Sequence, residues 1–340
     1  VNTLPTGKLP LGLLDNLLSK YTGSSDPRVL VGPRLGEDAA VIDFGETLLV
    51  AKTDPITFAT DEIGYYAIHV SANDIATMGA TPKWYLPTVL LPGDGTDVET
   101  VTAIFESIYT AAADIDITIC GGHTEITAGI DRPIIAGQML GEVSRANLVT
   151  SDGLKAGDRI LLTKGMGIEG TALLARELTD ELDGYGVSAD IVEKATSFLR
   201  HPGISVLPEA RIACEAAHPH AMHDPTEGGV ATALRELAAA SNVGLAVYED
   251  ALFAAEETTT LCNALSIDPL GLISSGALLI GLGENDVDPV RSRLARADIR
   301  ANVIAHVESA AFGVSLGRGT DWRDLPSFER DEIARIFDAR

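Results

Sequence analysis

The sequence predicts an α/β fold in two domains, on three observations. In the first half, strand-like and helix-like runs alternate as β-α-β-α-β-β, which argues for layers of sheet and helix rather than a bundle or barrel. Near 144–158 the periodic pattern gives way to the turn residues of "SRANLVTSDGLKAGD", so domains are expected over 1–150 and 151–340. A chain of 340 residues with 46% hydrophobic content can bury a core in each half.

The elements follow in order. "TLLVAKTDPITF" (47–58) is a β-rich run, and "IGYYAIHVSANDIATMGA" (63–80) spaces its apolar residues helically until Met78-Gly79 stops it. "KWYLPTVLLP" (83–92) reads as a strand, "VETVTAIFESIYTAAADI" (98–115) as an amphipathic helix, "ITICGG" (117–122) as a short strand entering a loop, and "RPIIAGQMLGEV" (132–143) as a strand. The second half opens with strand "RILLTK" (159–164), a glycine-rich turn, helix "TALLARELTDEL" (171–182) and the helical "SADIVEKATSFLR" (188–200). "MHDPTEGG" (222–229) then runs into helical "VATALRELAAAS" (230–241). Strands "VGLAVYED" and "GALLIGL", helix "DPVRSRLARAD" and a last strand "RANVIAHV" (300–307) follow, and the tail ends in a charged helix expected to serve as packing or dimer surface.

Composition narrows the function classes. The net charge of −24 repels nucleic acid and anionic membrane, and the acidic, lysine-poor surface reads as salt-adapted. Cys120, Cys214 and Cys262 are odd in number and far apart, so neither a disulfide framework nor a zinc site is expected. No run approaches the ~18 apolar residues of a membrane span, and a soluble, cytoplasmic protein is expected.

Acidic residues fall where elements meet loops: Glu37-Asp38, Asp54, Asp74 and Glu125. Asp38 and Asp74 sit among small apolar residues, where an unpaired charge is costly to bury. Carboxylates from several loops, completed by phosphate oxygens and water, are what Mg²⁺ requires. Gly165-x-Gly167-x-x-Gly170 matches the dinucleotide fingerprint, but a helix follows where its second parallel strand belongs, leaving a structural turn or a phosphate contact. In "MHDPTEGG", Asp224 or Thr226 can cap the following helix, while Gly228 and Gly229 let backbone approach an anion; a plain cap with a salt-paired His223 is the alternative.

Read together, "GEDAAVID", "TDP", "SANDIATMGATP", "CGGHTEIT", "KAGDRILLTKGMGIEGTALLA", "MHDPTEGGVATAL" and "IDPLGLISSGALLI" resemble, in order, the superfamily of aminoimidazole-ribonucleotide synthetase, HypE, selenophosphate synthetase and thiamine-monophosphate kinase, with the HypE group nearest. The resemblance implies the two-domain fold of that superfamily, an N-terminal sheet that pairs in a homodimer, a mixed-sheet C-terminal domain, and ATP with Mg²⁺ as cofactors. It assigns Asp38, Asp54 and Asp74 to metal, with Glu125 a further metal candidate in place of a missing acid; Lys8, Asn73, Gly121, Gly122, Thr124, Gly228 and Gly229 are the expected nucleotide contacts, and His223 and Asp224 the catalytic residues. The reaction implied is ATP-dependent activation of a carbonyl or amide oxygen on a small-molecule or carrier-bound acceptor, with a maturation protein as a further partner. A small-molecule kinase and a non-catalytic nucleotide sensor or assembly subunit are the other readings.

Four departures stand out. His123 replaces an expected metal acid, with His123 or Glu125 as substitutes; Glu227 replaces an arginine; Ser274-Ser275 replaces an Asn-Glu-like pair; and the group's C-terminal cysteine has no counterpart after Cys262.

Overall fold

The structure is a computed structural model that describes residues 9, 11–21, 26–34, 36–57 and 59–338. It comprises two compact units: the smaller takes the described residues within 24–32 and 38–148, the larger those within 1–23, 33–37 and 149–340. Helix α1 (Leu11–Tyr21) belongs to the larger unit. Among the described residues no helix is long and apolar enough to cross a membrane.

The smaller unit contains β1 (Val29–Val31), β2 (Ala40–Asp43), β3 (Leu48–Ile56), α2 (Ile63–Thr77), β4 (Thr81–Pro92), α3 (Val98–Asp114), β5 (Thr118–Ile119), β6 (His123–Thr127) and β7 (Ile134–Val143). Its sheet runs β1-β2-β3-β7-β4-β5, with β6 also on β4. The pairs are antiparallel except β4 with β5 and with β6. Helix α2 packs against α3 and against β3, β7 and β4, and every one of its 15 residues is buried. Its sequence is mostly apolar on all sides, the pattern of a helix enclosed by neighbours. On β4 and β7, Tyr85, Val89, Leu91, Ile135 and Met139 are buried, while Trp84, Leu86, Leu90, Ile134 and Leu140 on the alternate face are only half-buried.

The larger unit adds β8 (Arg159–Thr163), α4 (Ile168–Glu177), α5 (Ala189–Ser197), α6 (Leu207–Ala216), β9 (Ala221–His223), α7 (Gly229–Ser241), β10 (Val243–Tyr248), α8 (Glu256–Leu265), β11 (Leu279–Leu282), α9 (Val287–Arg296), β12 (Ala301–Ser309), β13 (Val314–Arg318), β14 (Asp321–Asp324) and α10 (Glu332–Phe337). The sheet order is β14-β13-β10-β12-β8-β11-β9. Val230, Leu234 and Leu237 of α7 pack into one core with Ile160, Leu162, Leu245, Leu279 and Ile304 from the strands. Strand β8 has antiparallel partners on both sides, β11 and β12, so the glycines after it do not open a parallel dinucleotide-binding unit.

Two elements differ from the expectation. The segment read as a loop after 122 is strand β6, whose exposed polar residues are held by backbone pairing to β4 rather than by burial, so it carries no alternation to read. The strand at 300–307 is not the last: β13 and β14 follow as a hairpin over Gly319, at φ +60°. Beyond β12, β13 pairs parallel to β10, a crossover that local sequence does not encode.

Helices α2 and α3 meet closely at Gly64, where an added Cβ would stand 2.5 Å from the Ile108 backbone nitrogen. Since that atom belongs to helix backbone, Gly64→Ala is expected to cost about 1–3 kcal/mol. Urea denaturation checks this, and an unchanged midpoint would contradict the α2–α3 packing.

Candidate functional site

In the smaller unit, the buried helix α2 carries polar residues near its C-terminal end. Asn73 is fully buried and Asp74 is 2% exposed. Lys52 Nζ on β3 lies 3.3 Å from Asp74 Oδ2, so the buried carboxylate faces a cation. Asp54 is two residues further along β3 and stands opposite Gly137 of β7. A Cβ on Gly137 would fall 1.8 Å from Tyr85 Oη, so this glycine admits the phenol beside Asp54. Burial, reinforced by the Asp54 charge and opposed by a Ser71 hydrogen bond, holds Tyr85 above the usual tyrosine range. Asp38 is buried two residues before β2, at the end of the β2–β3 pair toward which β3 extends with Asp54. Asp54, Asp74 and Asn73, with Lys52 and Tyr85, therefore converge on one end of the sheet.

Glu125 does not join them within the unit. It sits on β6, and β6, β4, β7 and β3 are successive neighbours, which puts it three strand spacings, about 14 Å, from Asp54. Glu125 is exposed and accepts from His123 Nε2 at 3.0 Å, a hydrogen bond that holds its carboxyl below the ordinary range. The two candidate substitutes for the missing acid are thus paired with each other. Gly121, Gly122 and Thr124 are exposed on the same edge; Gly122, at φ +150°, would place a Cβ 2.4 Å from the Pro87 carbonyl oxygen. Lys8 lies outside the described residues.

The larger unit gathers a second group. His223 is buried at the end of β9, and its Nε2 is 2.9 Å from Glu236 Oε2 of α7, which fixes the ring. Asp224 is 1% exposed. The N-cap of α7 is neither Asp224 nor Thr226 but Gly228 at φ +84°, which has no side chain to cap with. The Gly228 amide instead donates to Asp331 Oδ2 at 2.6 Å, and Asp331 Oδ1 accepts from Ile333 at the start of α10. Gly229 would put a Cβ 2.5 Å from the Leu270 carbonyl oxygen, so it serves packing as well.

The amides of the glycine-rich turn are not free. Gly167 donates to Ser274 Oγ at 2.7 Å, Gly170 to the Ile273 carbonyl, and the Ser274 amide to the Pro225 carbonyl. These bonds tie the turns around 165–170, 224–229 and 273–276 together. Lys164, at φ +56°, is buried before the first turn and binds Glu209 Oε1 at 2.8 Å and the carbonyls of Gly203 and Ser205. Burial pulls its ammonium below the usual lysine range, and Glu209 opposes that.

Sequence reasoning missed Glu169 and Asp331. Burial pushes the Glu169 carboxyl up to about 8, with Ser275 opposing and Asp331, Glu227 and Asp224 reinforcing. Burial likewise pushes Asp331 up to about 7, against hydrogen bonds from the Ile333, Gly228 and Ile273 amides. The signal for Glu169 was an acid inside "GMGIEG"; Asp331 had none, since its partner is 103 residues away.

These features define an α/β protein with buried acids in each unit and a glycine-rich, bonded set of turns in the larger one. Family comparison agrees: the AIR synthase related protein N-terminal domain matches residues 36–143 and the C-terminal domain 155–316. The chain belongs to the AIR synthase related family. A Methanocaldococcus jannaschii protein named for a presumed role in hydrogenase expression and formation is 28% identical over 83% of this chain and 82% of its own length. Carbamoyl dehydratase HypE of Rhizobium leguminosarum is 27% identical over 81% of this chain and 77% of its own. Among solved structures, HypE in complex with ATP aligns with TM-score 0.69 and 24% identity over 94% of this chain and 92% of that one. A HypE–HypF complex aligns with TM-score 0.71 and 23% identity, over 93% of this chain and 99% of that one. AaThiL with AMPPCP and TMP gives TM-score 0.73 at 18% identity, over 97% of this chain and 99% of that one. These structural likenesses establish the fold.

Two outcomes are expected. Glu209→Ala should destabilise the protein by about 3–5 kcal/mol by stranding buried Lys164, whereas Lys164→Met with Glu209→Leu should recover much of the loss. Equal losses in denaturation experiments would contradict this. Because Glu169 holds its proton to about 8 when folded against 4.5 ordinarily, its contribution is full below the lower value and is lost as pH rises through the higher. The melting temperature should therefore fall between about pH 4.5 and about pH 8 and level off above it, and fall less steeply in Glu169→Gln.

Proposed function

We propose that this protein is an ATP-dependent enzyme that activates a carbonyl or amide oxygen by phosphoryl transfer, acting on a separate small or carrier-bound acceptor. The observation that carries the reading is the cluster of Asp54, Asp74 and Asn73 with Lys52 in the smaller unit of a chain that matches both halves of the family. HypE relatives named carbamoyl dehydratase, and a HypE structure with ATP, support it.

The donor set suits Mg²⁺, since the buried carboxyls of Asp38 and Asp74, the half-buried Asp54 and the Asn73 amide are hard oxygen ligands at one sheet end. Asp38, Asp54 and Asp74 would hold the ion, and Mg²⁺ when bound supplies charge neutralisation for the phosphates. Glu125 is left out of this set for the distance given above. Lys52 Nζ, 3.3 Å from Asp74 Oδ2, sets a cation against the buried carboxyl. In the larger unit, Asp224 accepts a proton or hydrogen bond from the acceptor, and Glu236 orients the His223 ring beside it. Lys8 and the Gly121–Thr124 stretch are the proposed nucleotide contacts, and the Gly228–Gly229 turn is left out because Asp331 holds the Gly228 amide and Gly229 serves packing.

The thiols of the larger unit support a separate acceptor. Burial pushes Cys214 up to about 11 and Cys262 up to about 12, so neither is a ready nucleophile. The half-buried apolar face of Trp84, Leu86, Leu90 and Leu140 supports a homodimer formed through the smaller unit's sheet. A maturation protein is a proposed further partner, as the HypE–HypF complex suggests for this fold. The work is assigned to the cytoplasm.

Titration calorimetry in high-salt buffer tests the reading. Wild type should bind ATP with Mg²⁺ and release ADP and phosphate, while Asp74→Ala should lose at least tenfold in Mg²⁺-dependent affinity. Unchanged affinity in the variant, or no binding by the wild type, would overturn the assignment.

A further inference from the structure

Glu169 stands in the first turn of α4, two residues after its Gly167 N-cap, and is 5% exposed. Its Oε2 has no hydrogen-bond partner. The fully buried Ser275 hydroxyl faces the carboxyl, yet no hydrogen bond of good geometry closes between them. Two polar groups buried without partners are costly in a finished core and useful where a ligand completes them. Their surroundings are built rather than incidental. Ser274 bridges the turn of Gly167 to Pro225, Gly170 is bonded to Ile273, and Gly228 is bonded to Asp331, so the backbones around the pair are fixed.

The charged groups that face Glu169 are all acids: Asp224 and Glu227 from the loop before α7, and Asp331 from the start of α10. From α8 the neighbour of the same turn is Thr258, which is uncharged. Such a setting repels an anion. Nor is it a metal cage: among the described residues, Glu169 belongs to no group of three or more carboxylate, imidazole or thiolate ligands within metal-binding reach of one another. A neutral group with an acceptor oxygen and a donor N–H fits it, because a protonated carboxyl gives one hydrogen bond and the surrounding carboxylates accept others.

We propose that Glu169 is a proton-bearing, hydrogen-bond-donating residue of the acceptor site in the larger unit, where with Ser275 it receives the oxygen of a neutral amide or carbonyl group. The assignment of this place to the acceptor rests on the proposed function; the protonation and amide contact of Glu169 do not. With the carboxyl held neutral up to about pH 8, the donor is present at physiological pH and is lost above it. Glutamine keeps shape and donor capacity but cannot ionise, whereas alanine removes both.

Infrared difference spectroscopy on the full chain tests this, with acetamide as the probe and no nucleotide present. Wild type should show, apart from the band of Asp331 that titrates near 7, a protonated carboxylic acid band that vanishes with a midpoint near 8, is absent in Glu169→Gln and shifts to lower frequency on adding acetamide. Absence of that band, its persistence in Glu169→Gln, or a band indifferent to acetamide would overturn the proposal. A second readout is ADP release against pH, which should decline above about pH 8 in wild type and stay level in Glu169→Gln; parallel profiles would also overturn it. Because the acetamide experiment needs no ATP, loss of the nucleotide reading and loss of the Glu169 assignment give different results.

Discussion

A helix enclosed on every side has to settle its polar side chains inside the protein, and α2 is such a helix. Its apolar residues fill the space between α3 and the sheet, and Gly64 lets the two helices approach to backbone contact. Asn73 and Asp74 are therefore delivered to the buried end of the sheet by the same packing that stabilises the unit. Burying a carboxylate there without compensation would be prohibitive, and Lys52 on β3 supplies the cation. Tyr85 enters the same region only because position 137 is glycine. The polar end of the smaller unit is a consequence of how its core closes.

The larger unit meets a related problem with backbone. Its helices α4 and α7 both begin at left-handed glycines, and neither N-cap has a side-chain cap of its own. Their first amides are satisfied by distant partners: Ser274 for Gly167 and Asp331 for Gly228. This joins three turns and the start of α10 into one scaffold, with Lys164 and Glu209 anchoring the segment before it. The unpartnered oxygen of Glu169 lies inside that scaffold, which gives it the character of a positioned group rather than a stray acid.

Much of this was legible in the sequence. Helices α2, α3 and α7 and strands β3, β4, β7 and β8 follow from periodicity, and the ordered motifs carried the family. What escaped depends on pairing between distant positions. Strand β6 is an exposed edge with no burial alternation, and β13 joins the sheet through a parallel crossover. Glu125 looked equivalent to Asp54 and Asp74 as a loop acid, but strand order separates it from them. Nothing in the charged tail marks Asp331, which is 2% exposed because a helix start 103 residues away needs its carboxylate.

The central claim is that the acids at the end of the smaller unit's sheet form the metal site for a bound nucleotide. Anomalous diffraction at the manganese edge, from crystals grown with Mn²⁺ and a non-hydrolysable ATP analogue, tests it most directly. The account predicts a manganese peak bound by the carboxylates of Asp54 and Asp74, with phosphate oxygens of the analogue completing its shell. A nucleotide bound with no peak at those carboxylates, or a peak at Glu125 alone, would contradict it.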